Sequence, residues 1–311
     1  VLQVLSSLRE LDSSTKFALT IGNFDGVHLG HQFLLSKLKT YCVANAIKLA
    51  VMTFRPHPQE ILGTGGPFQY LSTYDEKVSL LKNCGVDFII EIPFNRDLST
   101  ISAVDYIEHY ILVHQGLRKL TLGHDFAFGS RKEGNLSFMK NYWTANQIKT
   151  KQISLEIEEK FLVKGNLVSS SVIRKLINEG DVKTANQYLG KEYMLEGLVV
   201  KGDGRGKTIG FPTANMNYSA QKCLPSRGVY STTAIHQEKL YPSLTNIGLN
   251  PTFLDQNILR VETHILSFSK DIYGENIKVQ FLDRIRDEKK FTGPKELIEQ
   301  ITRDINYRQA H

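Results

Sequence analysis

Four stretches of this chain carry side chains whose types and spacing suit chemistry on phosphate groups. The first is His28-Leu29-Gly30-His31, preceded by Gly22, Asn23, Phe24 and Gly26. Two imidazoles three residues apart in a glycine loop offer donors aimed at one point. If the loop opens a helix, its first-turn amides and positive dipole end add to them. No carboxylate or cysteine stands beside them at ligand spacing, so zinc is not favoured. The second stretch, Ser169-Ser170-Ser171-Val172-Ile173-Arg174, sets three hydroxyls before an apolar helical pattern. At least one hydroxyl reads as an N-cap. The same hydroxyls and amides, with Arg174 on the first turn, also make a second anion site.

The third stretch runs from Gly202 to Asn215 and holds Gly204, Arg205, Gly206 and Lys207, then Thr213 and Asn215 beside Pro212. It falls one residue short of a Walker A loop, and Ile209 breaks the GxGxxG pattern. Two readings stand: a flexible hairpin, or a phosphate flap followed by a metal-binding turn. The fourth is Glu262, in the strand-like run Arg260-Val261-Glu262-Thr263-His264-Ile265-Leu266. An acidic residue there usually faces solvent, and alone it is weak evidence for a general base. His57, His124 and His264 read individually as structural. Phe126, Phe128 and Phe138 read as core, although Phe126 falls in a predicted ligand loop.

The elements that must position these groups follow from periodicity. Phe17-Ala18-Leu19-Thr20-Ile21 has the length and composition of a buried strand, and Phe33, Leu34, Leu35, Leu38 and Tyr41 recur at helical spacing directly after His31. Further strands are predicted at 49–54, 88–92 and 119–122, and helices at 75–83, 103–114 and 171–179. This alternation predicts a doubly wound parallel sheet, whose ligands sit beyond the carboxyl ends of the strands. The loops at 22–31, 55–58 and 123–126 then converge on one crevice. Beyond residue 190 helical periodicity gives way to strand-like runs at 195–201, 229–235, 259–268 and 277–282, with one helical pattern from Pro294 to about Arg308. That texture predicts a small barrel or sandwich with a C-terminal helix. The expected domains are 1–186 and 187–311.

Composition narrows the function class. The chain has 311 residues and carries 38 basic against 32 acidic ones, a mild excess that suits polyphosphate handling as well as nucleic acid. No apolar run approaches the length of a membrane span and no signal-peptide pattern opens the chain; Val1–Leu5 reads as a strand. Cys42, Cys84 and Cys223 are odd in number and far apart, so neither a disulfide framework nor a zinc cluster is expected. A cytoplasmic setting is the expectation.

The ordered motifs TIGNFDGVHLGHQ, TFRPHP, LGHDFAFG, SSSVIR, LGKEY, GKTIGFPTAN, GVY, NIGLNPTF, VETHILSF, YGENIKVQF and IRDEKKF together resemble the bacterial bifunctional riboflavin kinase/FMN adenylyltransferases, or FAD synthetases. The resemblance spans essentially the whole chain. It implies an N-terminal nucleotidyltransferase domain that joins FMN to the α-phosphorus of ATP, giving FAD and pyrophosphate. It also implies a C-terminal barrel that phosphorylates riboflavin with MgATP. His28, His31 and Arg174 then match the groups that act on the adenylyl transfer. Gly22, Asn23, Phe24, Gly30, Ser170 and Ser171 match the ATP-binding residues around them, and Asp125 and Phe126 the flavin side. In the barrel, Thr213 and Asn215 match the residues that hold Mg²⁺ and phosphate, Gly204, Arg205, Gly206 and Lys207 the flap, and Glu262 the general base. The implied partners are ATP, riboflavin and FMN, with FAD as product, and neither nucleic acid nor membrane. Protein partners are unspecified, with weak self-association admitted. Three positions depart from the family pattern: Ser171 stands for Thr, Arg55 for an acidic residue before PHP, and Ser267 for Asp.

A rival class, a nucleic-acid-binding or tRNA-linked enzyme of the HxGH type, would need a basic stripe or an anticodon-type domain. The second half reads instead as a small β-domain.

Overall fold

The computed structural model describes residues 2–150, 152–249 and 259–310. Contacts divide the chain into two compact units, Val1–Val168 and Ser169–His311.

In the first unit the strands are β1 (Gln3–Leu5), β2 (Phe17–Ile21), β3 (Lys48–Arg55), β4 (Phe88–Pro93), β5 (Leu117–Leu122) and β6 (Ser154–Ile157), with a small hairpin of β7 (Leu162–Val163) and β8 (Asn166–Leu167). The helices are α1 (Leu29–Ala44), α2 (Pro58–Leu62), α3 (Tyr74–Asn83), α4 (Ala103–Tyr106), α5 (Leu136–Ala145) and α6 (Gln147–Thr150). The six long strands form one parallel sheet in the order β1-β4-β3-β2-β5-β6. Strand order reverses at β2, with β3 on one side and β5 on the other, so the loop after β2 lies at the switch point of the sheet.

All five residues of β2 are buried, as a central parallel strand covered on both faces requires. Alternate side chains feed opposite cores. Phe17, Leu19 and Ile21 join Met52, Leu120, Tyr106 and Met139 on one face. Ala18 joins Val51, Leu35, Leu38, Leu81 and Ile89 on the other, against α1 and α3. Two elements differ from expectation. The helix predicted over 103–114 is α-helical only to Tyr106, then widens into a π turn, Ile107–Ile111, with Leu112 N–H bonded to Ile107 O. That turn keeps Ile107 and Ile111 both fully buried. The sheet also gains β6, a four-residue edge strand too short and too polar to stand out in the sequence.

The second unit opens with α7 (Ser170–Glu179) and α8 (Val182–Leu189). It continues through β9 (Tyr193–Val200), α9 (Arg205–Thr208), β10 (Ala214–Tyr218), β11 (Gly228–His236), β12 (Lys239–Leu249), β13 (Leu259–Ile265) and β14 (Asn276–Arg286) to α10 (Pro294–Ala310). The strands close into a barrel in the order β10-β13-β12-β11-β14-β9, which leaves no open sheet edge. Sequence reasoning missed β12 because Pro242 interrupts it and two of its inward positions, Ser243 and Thr245, are polar.

The barrel interior is partly polar. Thr232 Oγ1 lies 2.8 Å from Ser243 Oγ and 2.9 Å from Thr245 Oγ1, which lies 3.0 Å from Thr263 Oγ1. All four hydroxyls are fully buried. α8 is pinned to the barrel by Asn186, whose carboxamide donates to Phe281 O and accepts from Tyr193 N–H, both at 2.7 Å. α10 is pinned by Asp304, which takes Arg286 Nε and Nη2 at 3.0 and 2.8 Å, and by Arg308, which donates to Thr232 O at 3.0 Å. The motif NIGLNPTF lies partly outside the described residues.

Candidate active sites

The first site is built on the loop between β2 and α1. Gly22 N–H continues the sheet ladder to Met52 O, after which Phe24, Gly26 and Val27 all take positive φ. This tight path has three anchors. The buried Asp25 carboxylate accepts from Leu71 N–H and Ser72 N–H at 3.0 and 3.1 Å, Gly26 N–H donates to Ser72 Oγ at 3.0 Å, and Gln32 Nε2 donates to Val27 O at 2.8 Å. Asn23 is held from behind: Thr53 Oγ1 donates to its carbonyl at 3.3 Å, and Lys77 Nζ donates to Thr53 Oγ1 at 3.3 Å. Burial of Lys77 holds its ammonium below the usual lysine range. Asp25, Thr53 and Lys77 were not singled out in the sequence; their meaning comes from contacts between distant segments.

His28 is the N-cap of α1, and its Nδ1 accepts the His31 N–H at 3.4 Å. That bond needs the Nδ1 lone pair, so a neutral His28 carries its proton on Nε2. The two imidazoles stack, with ring centroids 3.7 Å apart and planes 17° from parallel. Phe24 closes over His31 at 4.9 Å. Gly30 permits the stack, because a Cβ there would fall 3.2 Å from the His28 ring and 3.3 Å from Phe161 Cβ. The result is a pair of rings at a helix N-terminus, able to donate to an anion without covalent chemistry.

The other two strand-end loops flank it by topology, after β3 and β5. His57 caps α2 by accepting Gln59 N–H at 3.1 Å and stacks on Phe68 at 4.2 Å, the structural role expected of it. Tyr70 accepts His57 N–H at 3.0 Å and donates to Glu60; burial and that carboxylate push its hydroxyl up to about 12. Arg55, the departure before PHP, lies 3.6 Å from Glu91 and 4.0 Å over the Tyr74 ring. After β5, Asp125 is exposed and Phe126 half-buried, stacked on the buried Phe128 at 5.1 Å. Ser169, the first of the three serines, is the N-cap of α7 and accepts Val172 N–H at 3.3 Å. Ser170, Ser171 and Arg174 follow on the first turns of that helix, which contacts group with the barrel unit.

The second site lies on the outer wall of the barrel. Register sets Asn215 of β10 opposite Glu262 of β13, and Glu262 opposite Asn246 of β12, so two carboxamides flank one carboxylate on the same face. Val261, Thr263 and Ile265 fill the interior from the alternate positions. Glu262 is half-buried rather than solvated, and desolvation raises its carboxyl above the ordinary range, partly opposed by Arg260 and Arg205. Asn246 was not predicted; only the strand register reveals it.

The stretch from Gly202 to Pro212 lies beside this row. Gly204 and Gly210 take positive φ and bracket the single turn α9, which carries Arg205 and Lys207 exposed. A Cβ on Gly202 would fall 2.2 Å from Asn215 Nδ2, and one on Gly206 2.4 Å from Phe211 O, so backbone and PTAN turn pack too closely for side chains. His264 fixes the turn: its Nδ1 lies 2.7 Å from Pro212 O and its ring meets Phe211 edge-on at 5.6 Å. Among the described residues no cluster of His, Cys, Asp or Glu could hold a metal alone. Thr213 and Asn215 instead offer hard oxygen donors in a cradle of bare backbone. That set fits Mg²⁺, which binds through few protein ligands plus phosphate and water.

An α/β sheet with a histidine pair at its switch point, followed by a flap-bearing barrel, defines a nucleotide-dependent transferase. Comparison with known proteins agrees: the FAD synthetase family model matches residues 11–172 and the riboflavin kinase model residues 189–311. The bifunctional riboflavin kinase/FMN adenylyltransferase of Bacillus subtilis is 33% identical over 94% of this chain and 92% of its own. That of Escherichia coli K12 is 34% identical over 92% and 90%. A crystal structure described as a macrolide-efflux protein of Streptococcus pneumoniae is 29% identical, with a TM-score of 0.88 over 99% of this chain and 98% of that one. Among the described residues no helix is long and apolar enough to cross a membrane. The chain belongs to the bifunctional riboflavin kinase/FMN adenylyltransferase family.

Proposed function

We propose that the chain turns riboflavin into FAD in two ATP-dependent steps, one in each half. The observation that carries this reading is that each family match contains its own built polar site: the stacked histidines in 11–172, and the Asn215–Glu262–Asn246 row in 189–311. The gap between the matches also supports a domain boundary near residue 186.

In the barrel, Glu262 takes the proton of the riboflavin 5′-hydroxyl as that oxygen attacks the γ-phosphorus of ATP, whose bond to the bridging oxygen breaks to release ADP. A free hydroxyl does not ionise at neutral pH, and a half-buried carboxylate with a raised pKa is a suitable base. Thr213 and Asn215 would hold Mg²⁺, which neutralises phosphate charge when bound. Gly204, Arg205, Gly206 and Lys207 cover the nucleotide.

In the sheet domain a phosphate oxygen of FMN attacks the α-phosphorus of ATP, and pyrophosphate leaves. His28 and His31 donate to the charge that develops there, with the loop amides from Gly22 to Phe24 and at Gly30. Ser170, Ser171 and Arg174 bind nucleotide phosphate, and Asp125 and Phe126 lie on the flavin side. Catalysis of this kind is positioning and charge stabilisation. A cytoplasmic setting fits substrates of this class.

Chromatography of the products from riboflavin plus MgATP, and separately from FMN plus MgATP, tests the reading. FMN and then FAD are expected. Turnover of only one substrate would leave one half as a flavin-binding regulator; turnover of neither would overturn the proposal.

A further inference from the structure

The barrel site holds a guanidinium that the reaction above does not use. Arg260 lies on β13 two residues before Glu262, so the two share a face of the wall and stand roughly 7 Å apart along the strand. Arg260 Nη1 donates to Asp203 Oδ2 at 3.0 Å, and Arg205 Nη2 lies 3.9 Å from the same oxygen. One carboxylate from the flap therefore sits between two guanidiniums, one on the rigid strand and one on the flap. The Arg260 and Asp203 side chains are 31% and 43% exposed. A pair that open to water is held weakly. A polyphosphate chain offers several oxygens in the geometry a guanidinium binds bidentately, and outcompetes a single solvated carboxylate.

Position selects Arg260 over the cations of the flap. Arg205 and Lys207 are exposed on a one-turn helix, whereas Arg260 stands in a strand registered against Gly248 of β12. Gly248 has no side chain to crowd it, and the Glu288 carboxylate fills part of that gap, 3.9 Å from Arg227. We propose that Arg260 binds the phosphate chain of the nucleotide in the kinase site, and that Asp203 holds its guanidinium in place until phosphate displaces the carboxylate. This rests on the riboflavin kinase reading of the barrel.

Steady-state riboflavin phosphorylation by the full chain tests it, with R260Q, R260K and D203N compared to wild type. R260Q raises KM for MgATP about tenfold, the scale of one lost charge-assisted contact, and leaves KM for riboflavin unchanged. R260K recovers part of the loss, and D203N keeps or lowers KM for MgATP. FMN adenylylation stays at the wild-type rate throughout and reports a folded chain. Active wild type with an unchanged R260Q, or D203N as damaging as R260Q, overturns the assignment alone. A wild-type chain that phosphorylates no riboflavin overturns the kinase reading and this assignment with it.

Discussion

His28 and His31 lie ring over ring at 3.7 Å, and a Cβ on Gly30, between them in the chain, would come within 3.2 Å of the His28 ring and 3.3 Å of Phe161 Cβ. The stack therefore depends on Gly30 as much as on the imidazoles. Gly30→Ala pushes the His28 ring aside by tenths of an ångström. Adenylyl transfer should fall by about threefold to tenfold, short of the hundredfold that a full ångström's misplacement costs. His31→Ala should suppress it further. Riboflavin phosphorylation, assayed on the same preparations, should stay at wild type; equal loss of both activities in folded protein would contradict two separate sites.

Glu262→Gln should do the reverse, abolishing FMN formation and sparing FAD formation from supplied FMN. The same substitution acts on stability. Burial raises the folded-state carboxyl above its unfolded value. The folded state then favours the proton, so this group's contribution is fully present below the unfolded pKa and is lost as pH rises through the folded one. At neutral pH the charged form is a burden that glutamine lacks. Glu262→Gln should raise the melting temperature at pH 7 and show no gain near pH 4. In the wild type, kinase activity should fade as pH drops through a value above the ordinary glutamate range.

Local motifs were the legible part of this chain. The HxGH loop and the serine cap each lie in one continuous stretch, so spacing alone assigned them to helix starts, and the structure has them there; the PTAN segment, expected as a turn, instead runs into a strand at Ala214, because Asn215 pairs with both Val200 and Glu262. Glu262 was readable only through resemblance, because its significance lies in its lateral neighbours Asn215 and Asn246, which sequence separates and β register joins. Asp25 is invisible for the same reason: its partners are Leu71 and Ser72. The strand β12 was lost to a general rule about proline; Pro242 lies where β12 pairs with β11 alone, before its pairing with β13 begins at Ser243.

Arg286 and Asp304 give a prediction on stability. Asp304 is almost fully buried, and Gln300 Nε2 also donates to it at 2.8 Å. Arg286→Ala would leave that carboxylate buried without its cation, at a cost of about 3–5 kcal/mol. Denaturant titration followed by kinase activity should show the midpoint fall, and Arg286→Lys should recover only part, since it cannot make the paired contacts.

Ser267 has φ of 55° on an exposed turn after β13. Asn and Asp tolerate that left-handed backbone better than Ser. Ser267→Asn should stabilise the barrel by about 0.5 kcal/mol, read as a small rise in melting temperature with unchanged kinetics.

The linked hydroxyls of Ser243, Thr232, Thr245 and Thr263 have a consequence for how this barrel can change over generations. An apolar residue at Thr232 strands Ser243, and one at Thr245 leaves Thr263 only the Met216 sulfur, while loss of Ser243 or Thr263 leaves the others paired. Replacing all four together strands none. A lineage can leave this arrangement one residue at a time only from its ends, Ser243 or Thr263, inward. The inside of the barrel is in that sense its slowest clock.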